Sequence, residues 1–479
     1  MEKDTNRKEK ALSAISLKSF ILVSVMLLII LALSGAMSYF IPQGKFSYDE
    51  NGAIIPNTFV LGQVKGIEIW RVITAPFRVF AGEDSLTIIM ISIFLLVMAG
   101  IFNVMEKTQG VHVLIKRCVT AFSHRKRLVL CIAIFVFMLF GSFFGMFEEL
   151  VTLLPIVMIF MLSLRYDTLT GLGVCMLSAC FGFSAAITNP FSVGLAAEVA
   201  GVAVYEGVWL RLVFFALIFA VLCAFILLHT KKITANPQKS LTYDIDREKL
   251  LTLNFNASEQ NPNEAKLFKT YAIFFGIELI ILILIASIRA ISGYAIPILA
   301  ATFLIGGIIS GLIVCENKKQ VFIWFGKGAL GMLPAVFMIM LATSVKLVLD
   351  ESQIIDTIMN WAITTLSGQN KFVCVLLIYL LILFLQIFIG SASAKIMLIM
   401  PIIMPICTAL GISPATVILT YCIADGFTDM ILPTNPVLLI GLSMANVSYG
   451  KWIKWTWLLQ LIILALTVLI LLFAVAINY

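Results

Sequence analysis

Five ionisable side chains lie inside or beside long apolar stretches, where charge is rare. Four are acids and one is a base: Glu148, Glu149, Lys395, Asp425 and Asp429. An ionisable group in the membrane interior costs about 2.5–3.5 kcal/mol on insertion scales, so it indicates a substrate or ion site. The excess of acid predicts a site that attracts cations. The purely structural alternative is that Lys395 neutralises one acid while another stays protonated.

A Thr-Asn-Pro tripeptide interrupts an apolar helical stretch in each half of the chain, at 188–190 and again at 434–436. The second copy lies 246 residues after the first, and the same offset separates the Pro-Ile-x-Met segments that begin at Pro155 and Pro401. Proline removes a backbone donor and breaks a helix. Paired breaks at matching positions of two halves indicate the binding site of a secondary transporter. Two ordinary helix kinks would not share an offset.

The composition places these residues in a membrane protein. Of 479 residues, 61% are hydrophobic and 12% are charged, whereas a soluble domain carries roughly 25% charge. The longest apolar runs approach or exceed the roughly 20 residues that a helix needs to span a bilayer, and they are Phe20–Ile41, Leu86–Val104, Trp209–Leu228 and Leu458–Ala476. Since the runs are continuous and do not alternate, we predict an all-α polytopic membrane protein and not a β-barrel.

A polar stretch divides the chain into two halves. Residues 1–230 and 269–479 are the predicted halves, and residues 231–268 are predicted to be a polar cytoplasmic linker. Basic residues cluster between the spans, where they set orientation, at Lys3, Arg7, Lys8, Lys10, Arg125, Lys126, Arg127, Lys231 and Lys232. This distribution predicts a cytoplasmic N-terminus. It also explains the net charge of +7 without a nucleic-acid partner.

Each half is predicted to hold one repeat unit. Unit 1 has a hairpin at 128–164 and a broken helix at 168–204, and unit 2 has a hairpin at 372–409 and a broken helix at 415–446. Hairpin arms that are too short for a full span predict re-entrant hairpins. Counting spans from a cytoplasmic N-terminus gives the two units opposite orientations, which is an inverted repeat.

The two hairpin tips and the two breaks are expected to meet near the bilayer centre. Half-helix N-termini suit carboxylates, and freed carbonyls suit Na⁺. The predicted substrate-binding residues are Glu148, Glu149, Thr188, Asn189, Ser391, Ser393, Lys395, Asp425, Asp429, Thr434 and Asn435. The predicted ion-coupling residues are Ser142, Asn189, Asp425 and Asn435. We expect no cofactor and no metal site other than one for Na⁺, with Na⁺ or H⁺ as coupling ion.

The sequence has no Walker-type GxxxxGK[ST] motif, no HExxH and no GxSxG. The first is required to bind nucleotide phosphates, and the others carry zinc-dependent and serine-dependent hydrolysis. We therefore expect neither an ATP-driven pump nor an intramembrane hydrolase, and we predict that the protein is not an enzyme.

Four segments resemble the YfcC-like branch of the four-carbon dicarboxylate anaerobic carriers. They are 144–149, 187–194, 390–395 and 425–436. The resemblance implies the ion-transporter superfamily fold, with a scaffold domain and a transport domain that moves in an elevator-like manner. It also implies a homodimer in a bacterial inner membrane.

The charge balance favours one substrate class. An excess of acid attracts a cationic amino acid such as arginine or ornithine, whose carboxylate could bind a half-helix N-terminus or Lys395. We therefore predict a secondary active transporter of basic amino acids, either an exchanger or a symporter. The alternatives are a Na⁺- or H⁺-coupled C4-dicarboxylate carrier and a Na⁺/H⁺ exchanger. A membrane sensor or scaffold would not need paired discontinuous helices. The expected partners are a small-molecule substrate and the lipid bilayer.

Overall fold

The computed structural model describes residues 17–47, 55, 58–82, 85–110, 113, 125–253, 264–287, 294–366 and 368–479. The basic residues at the N-terminus and residues 254–263 of the linker lie outside them. The described chain is almost entirely helical, which confirms the predicted all-α class. One addition is a two-residue antiparallel ribbon in which β1 (Gly44–Lys45) pairs with β2 (Val60–Leu61).

The helices before the linker follow the apolar runs of the sequence. They are α1 (Leu17–Met37), α2 (Ile69–Arg78), α3 (Ser85–Lys107), α4 (Lys126–Leu139), α5 (Leu154–Ser163), α6 (Thr168–Leu172), α7 (Ser178–Ser184), α8 (Leu195–Ala200) and α9 (Val208–Ala235). Wider π-type turns extend or join these helices at Phe140–Phe144, Gly173–Leu177 and Pro190–Gly194. Single 3₁₀ turns lie at Val79–Ala81 and Glu149–Leu153.

The remaining helices repeat this order with insertions. They are α10 (Tyr243–Leu253), α11 (Glu264–Ser287), α12 (Ala295–Val314), α13 (Lys318–Gly331), α14 (Leu333–Ser352), α15 (Ile355–Leu366), α16 (Lys371–Gln386), α17 (Ala392–Ala409), α18 (Pro414–Ala424), α19 (Pro436–Ala445) and α20 (Tyr449–Ala476). The 3₁₀ turns here are Pro237–Lys239 and Phe427–Met430. Within the described residues, 8 helical segments are long and apolar enough to cross a membrane.

Four units form the centre of the molecule. Hairpin 1 is residues 126–163, broken helix 1 is residues 168–200, hairpin 2 is residues 371–409 and broken helix 2 is residues 414–445. The first arm of each hairpin packs on the first part of the broken helix in its own repeat, and the second arm packs on the resumed part of the other repeat's broken helix. The two repeats are therefore intertwined in one packed body.

The contacts at the ends of the two broken helices show that these helices run antiparallel. At one end, Lys249 Nζ donates to Thr168 Oγ1 at 3.2 Å and to Ala445 O at 2.8 Å, so it joins the start of broken helix 1 to the end of broken helix 2. At the other end, Tyr479 accepts a hydrogen bond from Thr416 at 2.9 Å and donates one to Gly207, just beyond broken helix 1. This geometry confirms the inverted repeat.

The helices cross at repeat-equivalent residues. Cys180 Sγ donates to Gly426 O at 2.9 Å, and the rings of Phe181 and Phe427 meet edge to face with centroids 5.0 Å apart. In each pair the two residues are 246 positions apart in the sequence. A surface that contacts its own equivalent is the signature of a two-fold axis, so the pseudo-symmetry axis of the repeats passes through these contacts.

Helix α13 was not predicted from the sequence, and it packs along α3. Asn103 Nδ2 donates to Trp324 O at 2.6 Å. A Cβ added at Gly100 would lie 2.4 Å from the Phe325 ring, and one at Gly328 would lie 2.5 Å from Ala99 O. Small residues allow membrane helices to approach closely, so these glycines fix the pair of helices that flanks the central body.

The predicted polar linker is partly ordered and docks on broken helix 1. Its helix α10 places Asp246 Oδ1 3.1 Å from Thr168 N and 2.5 Å from Thr168 Oγ1. Asp167 caps broken helix 1 and accepts hydrogen bonds from Ser240 at 2.7 Å and from His229 at 2.9 Å. The linker thus satisfies donors that a helix N-terminus leaves open.

This docking predicts a pH dependence of stability. Burial raises the pKa of Asp246 to about 6, and the negative charge of Asp167 is the second cause of this increase. An undocked Asp has a pKa of about 3.9. Between these two pKa values the docked form binds more protons than the undocked form. The stabilisation that Asp246 gives to the docked form is therefore fully present below pH 4 and is lost as the pH rises through 6. Asp246→Asn should remove this loss, which is about 2–3 kcal/mol for the whole shift.

The measurement is the thermal unfolding midpoint of the wild-type protein and of the variant at several pH values between 4 and 7. Asp244→Asn changes an exposed acid of the same helix and is the matched control. A difference between wild type and Asp246→Asn that stays constant over this window would contradict the prediction.

Candidate substrate and ion site

The tip of hairpin 1 holds the first break by hydrogen bonds. Ser142 O accepts the backbone N–H groups of Ile187 at 3.0 Å, Thr188 at 3.3 Å and Asn189 at 3.1 Å. Ser142 Oγ donates to Ala185 O at 2.7 Å and accepts from Ile187 N at 3.1 Å. The break therefore leaves few open backbone groups, and the polar groups of Ser142 already serve to hold the loop.

A glycine is required at this tip. Gly145 has a φ of +69°, and a Cβ there would lie 2.2 Å from Asn189 Oδ1. Gly145→Ala should lower the free energy of unfolding by at least about 1–2 kcal/mol from backbone strain alone, and it should displace the first break. Gly390→Ala, at the tip of hairpin 2, meets no atom within 4 Å and should be tolerated. Thermal unfolding in nanodiscs would compare the two variants, and equal midpoints would contradict this prediction.

The two asparagines of the breaks play the same structural role. Asn189 Oδ1 accepts from Phe191 N at 2.9 Å, and Asn435 Oδ1 accepts from Val437 N at 2.8 Å. Each asparagine therefore caps the resumed half-helix. The proline that follows has no backbone N–H, so it leaves no unsatisfied donor at the first helical position. Asn189 Nδ2 is buried and has no hydrogen-bond partner among the described residues, so it can bind a ligand.

The threonines of the two breaks differ. Thr188 Oγ1 donates to Phe143 O at 3.2 Å and so helps to hold hairpin 1 against its break. Thr434 is half-buried, and no hydrogen bond of its hydroxyl is seen among the described residues. Of the two, only Thr434 has a hydroxyl that is open to a ligand in this arrangement.

An ion pair joins hairpin 2 to the second break. Lys395 Nζ lies 2.5 Å from Asp425 Oδ1, and both side chains are almost completely buried. Tyr421 OH donates to Ala392 O at 2.6 Å and lies 3.4 Å from Asp425 Oδ2. The base predicted from the sequence therefore neutralises Asp425. Tyr421 was not predicted, although its position four residues before Asp425 puts it on the same helix face.

Asp429 has a polar partner instead of a base. Gln386 Nε2 donates to the Asp429 carboxylate, while Gln386 Oε1 is buried without a hydrogen-bond partner among the described residues. The neighbouring Thr428 hydroxyl is buried and unpartnered in the same way. Gln386 is the one strongly polar side chain within the apolar run of α16. The logic used for the intramembrane acids would have identified it.

The two glutamates at the tip of hairpin 1 have no basic partner in the described part of the chain. Glu149 is buried, and its carboxylate accepts from Phe147 N at 3.2 Å. Glu148 is half-buried, and Glu149 and Asp429 are the charges that act on it most strongly. Residues 149 and 395 are repeat equivalents, so one tip presents acid where the other presents base.

The serines of the hairpin 2 tip are peripheral. Ser391 is exposed, and its hydroxyl caps α17 by accepting from Ala394 N at 3.3 Å. Ser393 is half-buried. In the described structure neither serine is hydrogen-bonded to an acid of the centre. The core of the candidate site is therefore the charged cluster, which we define as Glu148, Glu149, Lys395, Asp425 and Asp429.

This cluster can bind a cation. Adjacent buried carboxylates cannot all ionise unless positive charge or protons accompany them. One lysine compensates one acid by direct contact, while the remaining three carboxyl groups meet only neutral donors or none among the described residues. Unpartnered amide and hydroxyl groups line the same region. A cationic group or a coupling ion would restore the charge balance.

The fold and the cluster define a multi-pass membrane transporter with an inverted repeat. The chain belongs to the DcuC family of C4-dicarboxylate anaerobic carriers, whose family model matches residues 19–476.

Two bacterial relatives align with most of the chain. An uncharacterised protein of Haemophilus influenzae is 29% identical over 379 residues, which covers 78% of this chain and 72% of the relative. A protein of Escherichia coli strain K12, described as a putative basic amino acid antiporter and called YfcC, is 25% identical over 396 residues, which covers 78% of this chain and 75% of the relative.

Two solved transporters are similar over nearly their whole length. The YdaH transporter of Alcanivorax borkumensis aligns with a TM-score of 0.42 at 18% identity and covers 96% of this chain and 98% of its own. MtrF of Neisseria gonorrhoeae, described with a class of antimetabolite efflux pumps, aligns with a TM-score of 0.38 at 16% identity and covers 95% and 93%.

Proposed function

We propose that the protein is a secondary active transporter of basic amino acids of the arginine and ornithine type. The observation that carries this proposal is the charge balance of the cluster. Lys395 is in contact with Asp425 at 2.5 Å, so Glu148, Glu149 and Asp429 remain without a contacting base in the described structure. A cationic side chain supplies the missing positive charge. The Escherichia coli relative YfcC, described as a putative basic amino acid antiporter, agrees with this substrate class.

In this proposal the residues have separate roles. The guanidinium or ammonium group of the substrate binds Glu148 and Glu149, with Asp429 nearby. The α-carboxylate binds Asn189 Nδ2 and the positive end of the resumed half of broken helix 1. Asp425 is the coupling residue, since a proton or Na⁺ on its carboxylate would release Lys395. Ser142 and Asn435 act on coupling indirectly, by fixing the backbone conformation at the two breaks. Their polar groups already form hydrogen bonds with backbone atoms there.

Alternating access is proposed to be of the elevator type. The two hairpins and the two broken helices would move as one transport body along a scaffold that includes α3 and α13. We place the protein in the bacterial inner membrane as a homodimer, with its N-terminus and linker in the cytoplasm, as the basic clusters favour.

The alternative is a C4-dicarboxylate carrier, and the family to which the chain belongs favours it. A dianion would be repelled by the acids of the cluster unless cations entered with it. Glu148, Glu149 and Asp429 would then bind Na⁺ or H⁺, while the substrate would bind the helix N-termini.

The test is uptake of labelled arginine into proteoliposomes that hold the purified protein. One set is preloaded with ornithine, one with succinate and one with buffer, each without a gradient, with a Na⁺ gradient and with a pH gradient. Stimulation by internal ornithine alone supports basic amino acid exchange. Stimulation by a Na⁺ or pH gradient alone indicates symport. No arginine uptake, together with succinate uptake in the parallel assay, would overturn the proposal in favour of the carboxylate carrier.

A further inference from the structure

Arg211 is a buried cation without a counter-ion among the described residues. It lies near the start of α9 and is 2% exposed. Its Nη2 donates to Val204 O at 2.5 Å and to Glu206 O at 3.0 Å, whereas Nε and Nη1 have no hydrogen-bond partner in the described structure. The Glu206 side chain is exposed and forms no ion pair with Arg211.

This arrangement is unfavourable unless an anion completes it. A buried charge requires an opposite charge or a full set of hydrogen bonds, and here two backbone carbonyls satisfy one nitrogen of the guanidinium. The helix dipole further destabilises the buried guanidinium, since the N-terminal end of α9 carries partial positive charge and repels a cation. Guanidinium groups bind carboxylates and other small anions through two nitrogens at once. The two open nitrogens, Nε and Nη1, therefore form an edge of the guanidinium that can bind an anion.

Two neutral side chains lie near Arg211. The Tyr479 hydroxyl donates to Gly207 O and lies beside the guanidinium. The thiol of Cys422, on broken helix 2, is within electrostatic range of the same group. Neither side chain supplies the negative charge that a buried guanidinium requires.

We propose that the open edge of Arg211 is a binding site for a small anion, either a chloride ion or a carboxylate group of the transported molecule. Cys422 lies one helical turn before Asp425, so the site adjoins the charged cluster while being separate from it. The proposal does not depend on which substrate the cluster binds. An anion there would offset the positive charge of the guanidinium and of the N-terminal end of α9.

The test is the thermal unfolding midpoint of purified protein in nanodiscs, titrated with sodium chloride against sodium gluconate at constant Na⁺. The wild-type midpoint should rise and saturate with chloride. Arg211→Gln should bind chloride at least about tenfold more weakly, because a buried charged partner has been removed. Arg211→Lys, which keeps the charge but not the planar fork, should retain part of the response. Arg247→Gln, an exposed arginine on α10, is the matched control and should respond like wild type.

Further titrations with acetate, glycine and succinate distinguish the source of the anion. Stabilisation by chloride that these carboxylates do not compete with assigns the site to an inorganic anion. Competition by carboxylates assigns it to the substrate. If Arg211→Gln does not fold, Arg211→Lys replaces it and should respond more weakly to chloride than the wild type does. A wild-type midpoint that no anion raises, or equal responses of wild type and Arg211→Gln, would overturn the proposal. Failure of ornithine exchange would leave these midpoints unaffected, so the two proposals fail separately.

Discussion

Replacing Lys395 with methionine is expected to abolish transport and to lower the free energy of unfolding by about 3–5 kcal/mol. The ammonium group lies 2.5 Å from Asp425 in a fully buried environment, and no other base contacts this carboxylate in the described structure. Methionine conserves the volume of the side chain but leaves Asp425 as an uncompensated buried charge. The loss should appear as a lower unfolding midpoint in nanodiscs and as loss of arginine uptake.

A double-mutant cycle separates charge from packing. Lys395→Met combined with Asp425→Asn leaves no unpaired charge, so most of the lost stability should return while transport stays absent. Coupled residues give a large interaction energy, whereas independent sites add. Additive losses in the double variant would contradict the ion pair. Lys371→Met makes the same change at the start of hairpin 2, where the lysine contacts Asn478 at the surface, and should have little effect.

Glu148→Gln should reduce transport of basic amino acids by at least about 30-fold, because removing one partner of a desolvated charge pair costs about 2–5 kcal/mol. The same change should leave stability unchanged or higher. In the described structure Glu148 forms no ion pair, and the charges that act on it most strongly are those of the acids Glu149 and Asp429. Removing one negative charge therefore relieves repulsion. Proteoliposome uptake and thermal unfolding of the same preparations would measure both effects.

This split between function and stability distinguishes a binding role from a structural one. Unchanged arginine transport would exclude Glu148 as a substrate ligand. A large loss of stability would instead make Glu148 a structural residue. Glu198→Gln neutralises an exposed acid on α8 and is the matched control, with wild-type transport expected. Glu148→Asp keeps the charge and should retain partial transport.

Much of the fold could be predicted from the sequence because the relevant signals are local. Continuous apolar runs require helices in lipid, since each backbone group must find its partner within the segment. The prolines at 190 and 436 break helices wherever those helices pack. The constant offset of 246 residues relates the two halves, and contacts such as Cys180 with Gly426 realise that relation in space. Helix α13 and the docked helix α10 were not predicted, because neither has a long uncharged apolar run.

The sequence by itself thus determined the class, the two breaks and the set of charged residues in the centre. Only the tertiary structure decided how these residues pair. Nothing in the spacing selects Asp425 over three other acids as the partner of Lys395, and nothing assigns Gln386 to Asp429. Such pairings depend on the relative placement of segments that are distant in sequence. They also depend on burial, which makes each contact energetically decisive. For the same reason the open nitrogens of Arg211 became visible only in the folded chain.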